Sequence, residues 1–345
     1  MKVINDKLAL LANIPNHYLV RASGSSHPYF EGFMSTAESI QSILTEKEFE
    51  YWCTEKMLLK QKPFAEKKFI QYAVETTVAK YFGTKFPEGF RVEAKVNPEN
   101  YKDVDCQFID NGFVYNVEVK CSDFKSKEKI DSQDAFKFVT EGRLPDKGQK
   151  VINTITDALI ESLTKKGEEI KPFLVSKNMD NNLKEFLELA HEKFNPNPSE
   201  TEINILLVGC DDVYDIQNWV NYLYAHEGLF TKDSFADRRC YQNVDLVVFT
   251  NQYFKHNKVL EKNVAASWTL DDGFNIVMVN PNRLLKKTEG IRHFLDILPN
   301  YNTELGKYEV PGIAGPSVKD SVRISHFVKE YLEEKLGRYV FEAKP

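Results

Sequence analysis

Asp105, Glu118 and Lys120 are the residues whose types and spacing offer a chemistry. Carboxylates are hard oxygen donors suited to Mg²⁺, which commonly takes one or two of them and completes its shell with waters and substrate phosphate. Such an ion polarises a phosphodiester and lowers the pKa of the water that attacks it. Lys120, two residues beyond Glu118, can orient that water or offset the charge that develops on phosphorus. The chemistry on offer is phosphodiester hydrolysis.

The spacing matters because Asn111-Gly112 separates two alternating β-prone runs, Val104 to Asp110 and Phe113 to Cys121. Asn-Gly is the strongest short hairpin signal, both residues tolerating the positive φ of a type I′ turn. If these two residues form the turn, Asp110 faces Phe113, and counting outward sets Asp105 opposite Glu118. Asp103 then faces Lys120, and Gln107 faces Asn116, all on one polar face. Gln107 and Asn116 become candidate substrate contacts, and Asp103 a substitute ligand. The other face carries Val104, Cys106, Phe108, Tyr115, Val117 and Val119, fit to pack on a helix. Facing carboxylates cost up to about 1 kcal/mol on an exposed sheet, a cost a bound cation removes. The plain alternative is a solvated face on which Lys120 pairs with Asp103.

Glu-x-Lys alone is uninformative, since Glu66 to Lys68, Glu93 to Lys95, Glu169 to Lys171, Glu333 to Lys335 and Glu342 to Lys344 also match it. At position 118 an aspartate stands in hairpin register as well.

The elements that must position these residues are readable around them. Pro63 opens a helix to Phe82 that Gly83 should stop, with Ile70, Ala73, Val74, Thr77 and Tyr81 on one face. A strand is expected over Phe90 to Val96, and beyond the hairpin a helix over Gly148 to Lys165. Ile203 to Gly209 and Val244 to Thr250 read as buried strands flanking a helix over Val213 to Tyr224. A second hairpin is expected over Ala266 to Leu270 and Phe274 to Val279, and a helix over Ser325 to Leu336. Residues 1–62 read as helical, with capping-box spacing at Ser35 to Glu38 and Thr45 to Glu48. Asn195 to Glu202 is either a linker or a surface loop.

Asp105, a turn and Glu118-Val119-Lys120, after a helix and strand and before a helix, resemble the PD-(D/E)XK nuclease superfamily over roughly residues 63–210. Val104 stands where the family name has proline. The resemblance implies an α/β fold: a restriction-endonuclease-like core with a mixed central sheet flanked by helices. Residues 1–62 would form an N-terminal helical segment and 211–345 a C-terminal α/β extension for target recognition or oligomerisation, or one continuous with the core. It also implies that Asp105, Glu118 and the Val119 carbonyl bind Mg²⁺, with Mn²⁺ substituting, and that the product carries a 5′-phosphate.

The family often adds a glutamate from the preceding helix. Glu66 and Glu75 compete for that place, projecting about 180° apart, so one at most faces the site. Glu66 is preferred for its inward arc, Glu75 by its closeness to the helix end. Gln149 and Lys150 are weaker candidates for substrate phosphate. The resemblance implies a DNA endonuclease of restriction or defence type acting on double-stranded DNA, with a homodimer suiting double-strand cleavage. The reading from another class is a non-catalytic nucleic-acid-binding or scaffold protein that retains the fold.

Composition narrows the field further. A formal net charge of −6 argues against uniform positive coating, though a nuclease needs only a local basic path. Lys56, Lys60, Lys62, Lys67 and Lys68, then Lys125, Lys127 and Lys129, then Arg283, Lys286 and Lys287 are candidate phosphate patches. Five scattered cysteines indicate neither a disulfide framework nor a zinc knuckle, and the seven histidines form no zinc motif. Asp211 and Asp212 read as helix caps before ligands. The cysteine usage makes a reducing cytoplasm the default, the lack of a membrane-length apolar run suits a soluble protein, and without a phosphate loop any ATP-driven motor would be another subunit.

Overall fold

Asn111 and Gly112 take φ of 50° and 79°, the left-handed pair that a two-residue type I′ turn requires. The structure is a computed structural model describing residues 2–342 except 12–13, 61–62, 125–126, 128–131, 135, 139–145, 168–172, 176–179, 263 and 265. Its strands are β1 (Arg91–Ala94), β2 (Val104–Asp110), β3 (Phe113–Cys121), β4 (Phe136–Phe138), β5 (Phe173–Val175), β6 (Glu202–Gly209), β7 (Leu246–Thr250) and β8 (Asn275–Val279). A six-stranded sheet runs in the order β1-β2-β3-β6-β7-β8, while β4 and β5 pair with each other.

The turn sets the hairpin register: Asp110 faces Phe113 and Gln107 faces Asn116, as far as Cys106 and Val117. β1 pairs antiparallel with β2, β3 parallel with β6, β6 parallel with β7, and β8 antiparallel with β7. The fold is therefore mixed α/β. Ile203 and Ile205 to Val208 are all buried, as expected of parallel strands covered on both faces. β7 and β8 lie beyond residue 210 but extend the same sheet.

The α-helices are α1 (Lys2–Leu10), α2 (Tyr18–Gly24), α3 (Pro28–Ile43), α4 (Glu46–Tyr51), α5 (Glu66–Lys85), α6 (Asp146–Lys166), α7 (Asp180–Lys193), α8 (Val213–Tyr224), α9 (Gln252–Asn257), α10 (Val259–Lys262), α11 (Thr288–Ile297), α12 (Asn302–Lys307) and α13 (Pro316–His326). Among the described residues no helix is long and apolar enough to cross a membrane. α5 covers the apolar hairpin face, and Phe82 stacks on Phe108 with ring centroids 4.4 Å apart. Val104, Cys106, Phe108, Tyr115, Val117 and Val119 are all buried.

α5 starts three residues after Pro63 and passes through Gly83. Gly83 does not stop the helix but permits close approach, since a Cβ there would lie 2.5 Å from Ile43 Cδ1 and 2.9 Å from a Phe90 ring atom. The capping box at Thr45 and Glu48 forms, whereas Ser35 and Glu38 lie inside α3. The second hairpin does not form: Ala266 to Leu270 is irregular, and β8 pairs with β7 instead. Trp268 in that segment is buried and its Nε1 donates to the Tyr29 carbonyl, 3.1 Å away. The last helical region begins earlier than expected, at Pro316, and continues from Phe327 to Lys335 as a π-helix. α7 had no counterpart in the sequence reading. It buries Leu183, Leu187 and Ala190, followed by Phe194, and packs against α8 and β6.

Candidate functional site

Hairpin pairing extends to Cys106 and Val117, and the next position is Asp105. There the Val119 N–H donates to Asp105 Oδ2 at 2.7 Å. The carboxylate thus occupies a rung that backbone pairing would otherwise fill. Asp105 is half-buried, its carboxylate turned toward β3.

Glu118 is fully buried, and two ammonium groups meet it. Lys120 Nζ lies 2.6 Å from its Oε1; Lys193 Nζ, at the end of α7, lies 2.7 Å from Oε1 and donates to Oε2 at 2.9 Å. Burial first, then the charge of Asp105, pushes the Glu118 carboxyl up to about 6, with Lys120 and Lys193 pulling the other way. Burial disfavours the Lys120 ammonium, but Glu118, Asp105 and Glu75 more than offset this and hold its pKa above the usual value. Asp103, expected across from Lys120, lies before β2 begins.

Of the two helix glutamates, Glu75 joins Asp105. Burial and then the Asp105 charge push Glu75 up to about 7, against the pull of Lys56. Lys56 Nζ donates to Glu75 Oε2 at 2.9 Å and Gln71 Nε2 to Oε1 at 3.3 Å. The preference for Glu66 is corrected: it accepts a hydrogen bond from the Tyr18 hydroxyl at 2.8 Å. The inward arc of α5 faces two neighbours, and its first turn meets α2 while its middle meets the site.

Asp105 and Glu75, with Glu48 and Glu93, line a cleft of about 240 Å³, room for more than one water. Its walls come from α3, α4, the turn after α4, α5 and β1.

Gln107 and Asn116 bind each other rather than facing substrate. Gln107 Nε2 donates to Asn116 Oδ1 at 2.8 Å, and Asn116 Nδ2 to Glu202 Oε1 at 3.0 Å and Asn204 Oδ1 at 2.9 Å. Asn116 and Asn204 are fully buried, so parallel pairing of β6 on β3 converts an expected open face into an amide ladder. Lys150 is exposed near the start of α6, and the side chain of Gln149 lies outside the described residues. Asp212 caps α8, accepting from the Tyr214 N–H at 2.6 Å.

The expected lysine patches divide. Lys67 pairs with Asp123 at 3.0 Å, Lys60 with Glu55, and Lys127 with buried Asp215 at 2.6 Å. Lys287 is no surface group: it is buried 2.7 Å from Asp245. Lys62, Lys125 and Lys129 lie outside the described residues.

No protein-family model matches the chain, and no curated protein or solved structure matches it.

The donor chemistry suits a hard divalent cation, since Asp105, Glu75 and Glu118 are carboxylates and the charge of Asp105 raises the other two. Among the described residues, no three Asp, Glu, His or Cys side chains already converge as a metal cluster. Lysine ammonium groups stand on Glu75 and Glu118 instead.

Lys193 is the missed member of the site and carried no signal, sitting on a helix without a motif, whereas Lys56, read as part of a phosphate patch, pairs with Glu75.

Proposed function

We propose that the chain is a divalent-metal-dependent nuclease with a restriction-endonuclease-like core of the PD-(D/E)XK type, hydrolysing phosphodiester bonds in DNA as an endonuclease. One observation carries the reading. Asp105 accepts from the Val119 N–H at 2.7 Å and lines one cleft with Glu75, while on the residue before Val119 the Glu118 carboxylate meets Lys120 at 2.6 Å. Buried or half-buried carboxylates with lysines on them at one end of a strand pair are costly for a structural core and useful for phosphoryl chemistry.

Mg²⁺ or Mn²⁺, when bound by Asp105, Glu118 and the Val119 carbonyl with Glu75 alongside, supplies the Lewis acid that polarises the phosphodiester and acidifies a water. Lys120 holds a positive charge beside the reacting group and can donate to a phosphate oxygen or orient the attacking water. A cation held by Glu118 would compete with the ammonium groups of Lys120 and Lys193, and either lysine so displaced could serve a phosphate oxygen. The helices before residue 63 and those after residue 210 would supply target choice or assembly, with β7 and β8 completing the core sheet.

Cleavage of supercoiled plasmid and of single-stranded DNA in Mg²⁺ tests the reading. Asp105→Ala and Lys120→Ala abolish it, and Glu342→Gln, in a Glu-x-Lys string remote from the hairpin, leaves it intact. Activity that survives both of the first two changes sinks the assignment.

A second reading, a non-catalytic nucleic-acid-binding or scaffold protein, is favoured by the lysines already seated on Glu75 and Glu118. Titration calorimetry with Mg²⁺ or Mn²⁺ separates the two, since a scaffold binds no cation through Asp105 and Glu118.

A further inference from the structure

Tyr51, the last residue of α4, keeps 48% of its surface exposed. It lines the same cleft as Asp105 and Glu75, together with the apolar residues Leu44, Ala79 and Val92. An aromatic ring left in water against an apolar wall is a stacking surface for another flat ring. Its neighbour Trp52 is not free for this role, being buried with Nε1 donating to Thr76 Oγ1 at 3.0 Å.

Two departures from regular backbone converge on the same cleft. From Trp52 to Lys56 the chain is π-helical, a geometry frequent at functional sites, and it delivers Lys56 to Glu75 and Glu93. Glu93, within β1, has φ of 48°, a left-handed conformation that costs a non-glycine residue about 1–2 kcal/mol. The strained residue sets its carboxylate on the cleft, 3.4 Å from Lys56 Nζ. Strain kept beside a candidate site points from the backbone toward a use.

We propose that this cleft is a base-binding subsite that takes one unpaired nucleobase next to the scissile phosphate. The proposal rests on the nuclease reading of Asp105, Glu118 and Lys120. The base stacks on Tyr51, the Glu93 carboxylate accepts from an exocyclic amino group as carboxylates do from cytosine N4, and the attached phosphate lies toward Asp105. A base in a duplex is covered on both faces by its neighbours, so a ring stacked on Tyr51 has left the helix. The substrate class is nucleic acid with an unpaired nucleotide at the cut: a single strand, a flap or an overhang.

The test uses the full chain carrying Lys120→Ala to block cleavage, with Mg²⁺ and fluorescein-labelled oligonucleotides, single-stranded or blunt duplex, followed by anisotropy. The single strand binds tighter than the duplex, and adding Tyr51→Ala weakens single-strand binding about tenfold while Tyr51→Phe does not. Tyr51→Leu, which keeps bulk but not the ring, gives the same loss as Tyr51→Ala and guards against a folding artefact. Unchanged single-strand binding by Tyr51→Ala, or equal loss on both substrates, overturns the subsite and leaves the nuclease reading standing. A wild-type chain that neither binds nor cleaves any nucleic acid removes both.

Discussion

The Lys193 ammonium lies 2.7 Å from Oε1 of Glu118 and donates to Oε2 at 2.9 Å, joining the end of α7 to the middle of β3. Lys120 shares Oε1 at 2.6 Å. A fully buried carboxylate with two ammonium partners is well matched without metal, and whatever binds Glu118 must displace at least one of them.

Lys193→Ala tests that balance. Removing one charged hydrogen-bond partner from a buried carboxylate destabilises the metal-free protein by about 1–3 kcal/mol in urea unfolding. The same change tightens Mn²⁺ binding in calorimetry, because one competitor is gone. Lys193→Arg restores stability. Unchanged stability together with unchanged Mn²⁺ affinity would show that Lys193 is a bystander.

The pH dependence follows from Glu75 and Glu118, raised from 4.5 to about 7 and about 6 by burial and by Asp105. Between the unfolded and folded values the native state holds more protons, so each group's contribution is full below the unfolded pKa and is lost as pH rises through the folded one. Wild type therefore loses ground to Glu75→Gln by about 1–3 kcal/mol between pH 5 and pH 8 in metal-free unfolding. Mn²⁺ affinity runs the opposite way, rising over the same window as the protons leave. A stability difference that stays flat with pH contradicts the raised Glu75.

Gly83→Ala examines how the N-terminal helices sit on α5. The added methyl meets Ile43 Cδ1 at 2.5 Å and the Phe90 ring at 2.9 Å, so overpacking costs about 1–3 kcal/mol despite the better helix propensity of alanine. A more stable variant in thermal melting would mean that α3 and α5 are not held this closely.

The hairpin was legible because its information is local. Asn111-Gly112 admits one tight turn, and register then follows by counting, so the pairing as far as Cys106 and Val117 needed no tertiary knowledge. The apolar face for α5, the limits of α8 and the cap at Asp212 were readable for the same reason: each rests on residues a turn or two apart.

What the sequence by itself determined was a hairpin with acids grouped on one face and the type of the elements around it. Only the tertiary structure decided which groups complete the site. Glu66 and Glu75 share one helix, and the crossing of α5 over the sheet sets Glu75 beside Asp105 and Glu66 beside Tyr18. Lys193 reaches Glu118 across 75 residues of chain, and Asn116 became buried only when β6 paired with β3. Periodicity says which face of an element is apolar. The neighbour on that face is set by packing between segments distant in sequence, and no local pattern encodes it.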